Sequence, residues 1–199
     1  GGIEWAKTLE GNPDAAKAVE KGKGAYVGHE LAGKTLGVIG LGAIGGLVAN
    51  TATHLGMKVI GCDPFLSVNA AWNLSRSIEK GASFDEVFAK ADYITLHVPA
   101  TPQTKNMICA DSIAKMKPDA VVLNMARGGI VNEKDMYEAL VAGKIGGYAT
   151  DVMENEVAGD GLTEGAGFDS PLFGCDNFIV SPHIGAQTVD AAYDLGQHI

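Results

Sequence analysis

The chain has 199 residues, of which 46% are hydrophobic and 20% charged, a composition typical of a globular protein with one or two domains. Its formal net charge of −9 argues against nucleic acid or an anionic membrane as a partner, because both bind basic surfaces. No apolar run reaches about 18 residues, and the three cysteines are widely spaced. We therefore expect a cytoplasmic protein with free thiols, without a membrane span and without a metal site.

Two helices separated by a break are predicted before residue 31, and the second has Asn12 as its cap and Pro13 as its first residue. After residue 31, short apolar segments alternate with helical ones. The predicted strands are residues 34–39, 58–62, 93–98, 120–124, 146–151 and 178–181. The predicted helices are residues 44–55, 84–89, 111–116 and a helix capped by Asn132 that reaches residue 140. Short strands rich in Val and Ile, separated by helices, indicate an α/β fold of the Rossmann type, a doubly wound parallel sheet with helices on both faces.

The first strand after residue 31 runs into GLGAIG, residues 40–45, which has the spacing G-x-G-x-x-G and precedes a predicted helix. In this context Gly40 permits a tight turn, Gly42 lets a pyrophosphate approach the backbone, and Gly45 lets the helix pack closely on the strand. The start of the helix adds unpaired N–H groups and a partial positive charge. The pattern therefore predicts a dinucleotide-binding site.

A carboxylate follows the next strand, 18 residues after Gly45. Asp63 is placed to accept hydrogen bonds from both hydroxyls of an adenosine ribose and to repel a 2′-phosphate, and no Arg occupies positions 65–67. We therefore expect NAD rather than NADP as the cofactor. A methyltransferase also uses a Gly-rich turn and an acid at a strand end, and binding of S-adenosylmethionine in place of NAD would identify one.

Three further polar residues, Arg127, Glu156 and His183, follow predicted strands, and ligands of an open parallel sheet bind at the carboxyl ends of its strands. A guanidinium binds a carboxylate through two hydrogen bonds, and a carboxyl group can orient an imidazole that carries a proton. Each residue alone is more typical of a surface charge or a structural histidine, so the joint placement carries the hypothesis. Glu154 lies close to Glu156, and the sequence leaves open which of the two meets the imidazole.

From about Gly28 to the end, the chain resembles the family of D-isomer-specific 2-hydroxyacid dehydrogenases. The matching segments are LGVIGLG at 36–42, LHVP at 96–99, ARGGIV at 126–131, TDV at 150–152 and PHIG at 182–185. Several such segments in order are far more specific than any one of them. The segment TPQTKNMI at 101–108 is similar to the phosphoglycerate dehydrogenase branch of the family.

The resemblance implies that the catalytic Arg, Glu and His of the family correspond to Arg127, Glu156 and His183. It also implies that Asp151 binds the carboxamide of the nicotinamide. The cofactor-binding residues predicted in this way are Gly40, Gly42, Ala43, Ile44, Gly45, Asp63, His97, Val98, Pro99, Thr104, Met125, Ala126, Arg127, Asp151, His183, Gly185 and Ala186.

The resemblance further implies an enzyme that transfers a hydride between NAD and a small D-2-hydroxy acid or 2-keto acid. The substrate pair closest to the resemblance is 3-phosphoglycerate and 3-phosphohydroxypyruvate, in serine biosynthesis. Glyoxylate/hydroxypyruvate reductase and D-lactate dehydrogenase are the alternatives within the family. Since relatives can use this fold to bind proteins, an NAD-sensing interaction protein without catalysis is the alternative of another class.

Members of the family carry a second domain, built from chain segments before and after the nucleotide-binding domain. We therefore expect residues 1–30 to be connector helices from a substrate domain, residues 31–186 to form the NAD-binding domain, and residues 187–199 to return as a helix. On this interpretation the chain alone is inactive, and the enzyme is a homodimer joined through the NAD-binding domain.

Overall fold

The computed structural model describes residues 2–154, 170–185 and 187–189. The chain divides into two compact units, one that ends at Leu31 and one that begins at Ala32. In the described part of the chain, no helix combines the length and the apolar character needed to cross a membrane.

The first unit contains helices α1 (Gly2–Lys7) and α2 (Ala15–Gly22), followed by the 3₁₀ turn Lys23–Tyr26. Neither of these helices has a buried residue. The ring of Trp5 stacks on Tyr26 with 5.1 Å between the centroids. In its described residues, the unit therefore has aromatic packing but no buried core.

The prediction that Asn12 caps α2 is wrong. The helix begins two residues later than Pro13, at Ala15, and Asp14 precedes it without a side-chain cap. The Asn12 side chain instead accepts a hydrogen bond from the Asp14 N–H at 2.9 Å. Asn therefore stabilises a turn before the helix, a local alternative that its short side chain favours.

In the described part of the second unit, seven parallel strands form one sheet in the order β3-β2-β1-β4-β5-β6-β7. The strands are β1 (Thr35–Ile39), β2 (Lys58–Cys62), β3 (Glu79–Lys80), β4 (Tyr93–Leu96), β5 (Val121–Asn124), β6 (Gly147–Thr150) and β7 (Phe178–Val180). The helices are α3 (Ala43–His54), α4 (Val68–Trp72), α5 (Phe84–Lys90), α6 (Ala110–Ile113) and α7 (Glu133–Val141), and a 3₁₀ turn covers Pro171–Gly174. The strand order reverses between β1 and β4. In folds of this type, ligands bind in the crevice at the carboxyl ends of the strands at that point.

Alternate residues of the central strands face opposite sides of the sheet, as the pleat requires. Val38 and Val59 pack in the cluster that contains Ala49 of α3. Their neighbours Ile39 and Ile60 belong to the larger cluster on the other side, which includes α5 and α7 residues. Both faces are thus covered, and the predicted doubly wound α/β fold is confirmed.

Two elements were not predicted, and both lack the pattern that reveals buried elements. Helix α4 has no buried residue, and its apolar residues Val68 and Trp72 are exposed. Strand β3 consists of two exposed charged residues at the edge of the sheet. The predicted cap of α7 is confirmed, because the Asn132 side chain accepts a hydrogen bond from the Asp135 N–H at 3.0 Å.

The register of the sheet determines which residues meet at its carboxyl edge. Ile39 is paired with Cys62 on one side and with Leu96 on the other, so the residues that follow these three strands lie at the same level. Leu96 is paired with Asn124, and Asn124 with Thr150. Segments far apart in the chain therefore emerge side by side.

Candidate functional site

The turn between β1 and α3 has two glycines that the protein itself requires. Gly40 has a φ of +88°, and a Cβ there would lie 2.5 Å from the carbonyl oxygen of His97. A Cβ at Gly45 would overlap the carbonyl oxygen of Gly40. Both positions are thus limited to glycine by backbone that approaches closely on the neighbouring strand and turn.

Gly42 is different, because nothing in the described residues excludes a side chain from it. Its φ is −67°, and a Cβ would meet no described atom within 4 Å. Gly42 precedes α3, whose N-terminus has no side-chain cap. Bare backbone beside unpaired helix N–H groups fits a pyrophosphate, since the site is open and carries partial positive charge.

Asp63 holds the same turn from the side of β2. One carboxylate oxygen accepts a hydrogen bond from the Leu41 N–H at 2.8 Å, and the other accepts one from the Phe65 N–H at 2.8 Å. A carboxylate has about four acceptor positions, so room remains for ribose hydroxyls. A largely apolar cavity of 610 Å³ lies beside it, with Leu41, Pro64 and other residues in its wall. This end of the crevice suits an adenosine.

A second cavity, of 380 Å³, lies at the carboxyl edge on the other side of β1. It brings together seven residues predicted for the site, from the start of α3 and from the segments after β4 and β5. Its lining residues are Ile44, His97, Val98, Pro99, Ala100, Met125, Ala126 and Arg127. We call this space the carboxyl-edge cavity.

His97 lines the β4 side of the carboxyl-edge cavity, and Thr104 holds the loop that follows β4. The His97 ring lies 3.0 Å from the Thr95 hydroxyl, and burial lowers the pKa of this imidazole below its ordinary value. The Thr104 hydroxyl donates a hydrogen bond to the Pro99 carbonyl at 2.6 Å and accepts one from the Thr101 N–H at 2.8 Å. Thr104 therefore closes the loop after β4, and it does not line the cavity.

The loop that carries Arg127 is fixed by Asn124, the buried last residue of β5. The Asn124 side chain accepts a hydrogen bond from the Ala126 N–H at 3.2 Å and donates one to the Arg127 carbonyl at 3.0 Å. The Arg127 side chain is exposed, and its Nη1 donates to the Ala126 carbonyl at 2.7 Å. The backbone is thus held while the guanidinium faces solvent, where it is placed to bind an acid.

Asn124 also links this loop to the next strand. Its carbonyl oxygen accepts hydrogen bonds from the Thr150 hydroxyl at 3.0 Å and from the Asp151 N–H at 3.1 Å. Tyr148 is buried beside them, and burial raises its pKa to about 12. Asn124 is not among the site residues predicted from the sequence, although a polar residue at the end of a buried strand is a signal that could have identified it.

Asp151, which follows β6, holds the segment that contains His183. Its Oδ1 accepts hydrogen bonds from the Ser181 hydroxyl at 2.5 Å and the Ile184 N–H at 3.0 Å, and its Oδ2 accepts one from the Gly185 N–H at 2.8 Å. Burial raises the pKa of the Asp151 carboxyl, but these hydrogen bonds outweigh burial, and the pKa lies below its ordinary value. Asp151 is therefore a carboxylate at neutral pH.

Part of the predicted site lies outside the described residues, namely Glu156, Ala186 and most of the segment 187–199. Glu154 is described, and its N–H donates a hydrogen bond to the Glu133 side chain at 2.5 Å. Burial raises the pKa of Glu133, and the hydrogen bond from Glu154 opposes that effect. Which of Glu154 and Glu156 orients His183 stays a prediction.

Known proteins resemble this chain over most of its length. A family model described as "D-isomer specific 2-hydroxyacid dehydrogenase, NAD binding domain" matches residues 5–185. The D-3-phosphoglycerate dehydrogenase of Methanocaldococcus jannaschii is 42% identical over 187 residues, which cover 92% of this chain and 34% of the relative. The hydroxypyruvate reductase of Thermotoga maritima is 40% identical over 174 residues, which cover 87% of this chain and 53% of the relative.

A solved structure agrees with these relatives. The NAD-complexed form of a D-isomer specific 2-hydroxyacid dehydrogenase from Lactobacillus delbrueckii ssp. bulgaricus has a TM-score of 0.76 and 29% identity, and the match covers 87% of this chain and 54% of that one. The chain spans about a third of the length of the phosphoglycerate dehydrogenases it matches. With an open glycine turn, a carboxylate beside it and a family model that covers most of the chain, the molecule belongs to the D-isomer-specific 2-hydroxyacid dehydrogenase family, as its NAD-binding domain.

Proposed function

We propose that this chain is the cofactor-binding part of an NAD-dependent dehydrogenase that interconverts 3-phosphoglycerate and 3-phosphohydroxypyruvate in serine biosynthesis. The observation that carries the proposal is the carboxyl-edge cavity, which has the start of α3 on one side and the Arg127 loop on the other. The same edge of the sheet carries Asp151, to which the His183 segment is bonded. Cofactor-binding and acid–base groups thus share one edge.

In this proposal, NAD would accept a hydride from C2 of the hydroxy acid, and NADH would supply one in the reverse direction, when bound by the residues named below. The backbone at Gly42 and the start of α3 bind the pyrophosphate, and Asp63 accepts hydrogen bonds from the ribose. Arg127 binds the substrate carboxylate through its planar pair of N–H donors and polarises the adjacent oxygen. His183 accepts the hydroxyl proton during oxidation and returns it during reduction, and Glu156 orients the imidazole.

Substrate choice follows the relatives rather than any group in this chain. Phosphoglycerate dehydrogenases and a hydroxypyruvate reductase match at similar identity, 42% and 40%, so both substrates stay candidates. A D-lactate dehydrogenase from Lactobacillus jensenii is similar in structure, at a TM-score of 0.76 and 28% identity. A panel of D-2-hydroxy acids with NAD and NADP would rank these three, and NAD binding without any turnover would favour the sensing role.

The wider organisation is also proposed. Residues 1–30 would connect to a substrate domain, residues 31–186 would bind NAD, and residues 187–199 would return to the substrate domain. Support comes from α1 and α2, which bury no residue of their own and leave Ile3 76% exposed. All three cysteines are free thiols, which supports a location in the reducing cytoplasm. Exposed apolar residues such as Trp72 offer a surface for contact between two copies in a homodimer.

The decisive experiment is His183→Ala in the enzyme that contains this chain. Loss of the proton carrier should lower kcat by a factor of about 10² to 10⁴, because acid–base catalysis typically contributes that much. The dissociation constant for NAD, measured by fluorescence titration, should stay within about twofold, since the pyrophosphate and ribose contacts are retained. His54→Ala, at an exposed position on α3, is the control. Unchanged turnover in the His183 variant would refute the assignment.

A further inference from the structure

The backbone at His183 has a conformation that needs support. Its φ is +54°, in the left-handed region that residues other than glycine rarely adopt. The residue is exposed, so a packed core does not impose this conformation. Hydrogen bonds on both sides of the residue must therefore contribute to holding it.

Those hydrogen bonds converge on one carboxylate. Asp151 accepts from Ser181, two residues before His183, and from the N–H groups of Ile184 and Gly185, the two residues after it. The His183 N–H also donates to the Ser181 carbonyl at 3.0 Å, which closes the turn on its N-terminal side. A change in the backbone conformation of His183 would therefore break hydrogen bonds to the buried carboxylate of Asp151.

The fit is close on the C-terminal side as well. A Cβ at Gly185 would lie 3.0 Å from the Asp151 carboxylate, so a larger residue would push the N–H groups away from it. Asp151 is itself buried and tied by its own N–H to the Asn124 carbonyl. The position of the Asp151 carboxylate is thus set by the sheet, and the carboxylate in turn fixes the backbone of the His183 segment.

We propose that Asp151 and Ser181 are positioning residues that hold the His183 segment in its reactive conformation, a role separate from any contact between Asp151 and the nicotinamide. This inference rests on the proposed function, in which His183 transfers the proton. Three accepted hydrogen bonds leave one of about four acceptor positions on the carboxylate for the cofactor, so the two roles are compatible.

Ser181→Ala separates the two roles, because it removes a hydrogen bond to Asp151 and leaves the carboxylate in place. A hydrogen bond to a charged group is worth enough to change the population of the reactive conformation about tenfold. We expect kcat in the full enzyme to fall about tenfold, while the KM for the hydroxy acid and the dissociation constant for NAD stay within about twofold. Ser181→Thr, which keeps the hydroxyl, should restore kcat.

A second readout does not depend on turnover. In the 199-residue chain, the ring-proton NMR signal of His183, assigned by its absence in His183→Gln, should shift or broaden in Ser181→Ala and in Asp151→Asn. Ser77→Ala, which removes a hydroxyl from an exposed turn, should leave the signal unchanged. Thermal unfolding of each variant shows whether it is folded.

The outcomes separate this inference from the proposed function. If Ser181→Ala changes neither the NMR signal of His183 nor kcat, the positioning role is overturned. A loss of NAD affinity as large as the loss in kcat would overturn it as well. If His183→Ala retains full turnover, the proposed function fails, and the NMR signal then decides alone whether Asp151 and Ser181 hold the segment.

Discussion

Gly40 and His183 both lie at the carboxyl edge of the sheet with positive φ, and they are stabilised in different ways. At Gly40 the conformation belongs to a turn of six residues, and steric contact with the segment that follows β4 excludes any side chain. At His183 a full side chain is present, and hydrogen bonds to Asp151, 32 residues earlier in the chain, support it. The glycines that form the first device lie within six residues of the chain, whereas the second device joins residues that are far apart in it. The glycine turn leaves open backbone at Gly42, whereas the hydrogen bonds keep His183, the proposed proton carrier, at a position where glycine would be easier to accommodate.

The largest effect should come from Gly45→Ala, which tests whether the local device is steric. Its Cβ would overlap the Gly40 carbonyl, so α3 and β1 must separate, and we expect about 3 kcal/mol lower stability. For a domain of this size, that corresponds to a fall in Tm of roughly 6–12 °C in a thermal melt.

Gly42→Ala is the matched variant in the same turn. Nothing described within 4 Å opposes its Cβ, so the Tm should change by less than about 2 °C, while NAD should bind at least about tenfold more weakly. Gly28→Ala, also in open space but outside the site, should change neither quantity. A Gly42 variant with normal NAD affinity would show that this backbone does not approach the pyrophosphate.

The glycine turn and the sheet could be predicted because their signals lie within short stretches. Short runs of Val and Ile revealed the buried strands, and the spacing of Gly40, Gly42 and Gly45 has one common structural explanation. The hydrogen bonds of Asn124 and Asp151 depend on the register between β5, β6 and the segment after β7. No spacing along the chain reports that register, so the hydrogen bonds that hold the Arg127 and His183 segments became visible only in the structure.

Asn124→Ala probes the non-local device at Arg127. The substitution leaves the Ala126 N–H and the Arg127 carbonyl without their partner, so the loop should no longer hold the guanidinium in one place. We expect kcat/KM for the hydroxy acid to fall about 30-fold, with a smaller change in NAD affinity.

Asn124→Asp refines the test, since it keeps the acceptor for Ala126 and loses the donor to Arg127, and it should give an intermediate loss in steady-state kinetics. Equal kcat/KM for the Ala variant and the natural chain would mean that Arg127 does not depend on this loop for its action.

Asp63 supports the glycine turn through a hydrogen bond from a different strand end, and it is also the residue proposed to bind the ribose. Asp63→Asn keeps an oxygen that can accept from one backbone N–H but lacks the charge that repels a 2′-phosphate. We expect NAD to bind about tenfold more weakly, and NADP to lose less or to gain, in parallel titrations. If Asp63→Asn weakens NAD and NADP equally, the carboxylate supports the turn without selecting the cofactor.

The smallest effect concerns His97, which contacts the glycine turn and lines the carboxyl-edge cavity. Its carbonyl oxygen is the group that Gly40 approaches, and its ring lies 3.0 Å from the Thr95 hydroxyl. Burial lowers the pKa of the folded imidazole, so below the unfolded value of about 6.5 the unfolded chain binds a proton that the folded chain does not. Stability should therefore be complete above about pH 7.5 and should decline as the pH falls through 6.5, with a slope of at most about 1.4 kcal/mol per pH unit.

His97→Asn removes this titration, so the gap in unfolding free energy between the variant and the natural chain should narrow from pH 8 to pH 5 in urea melts. For the control His29→Gln, at an exposed histidine, the difference in unfolding free energy from the natural chain should be the same at each pH. Parallel pH profiles for His97→Asn and the natural chain would mean that the folded protein binds a proton at His97 as readily as the unfolded chain. The ring would then be free to charge without disturbing the contact between His97 and Gly40.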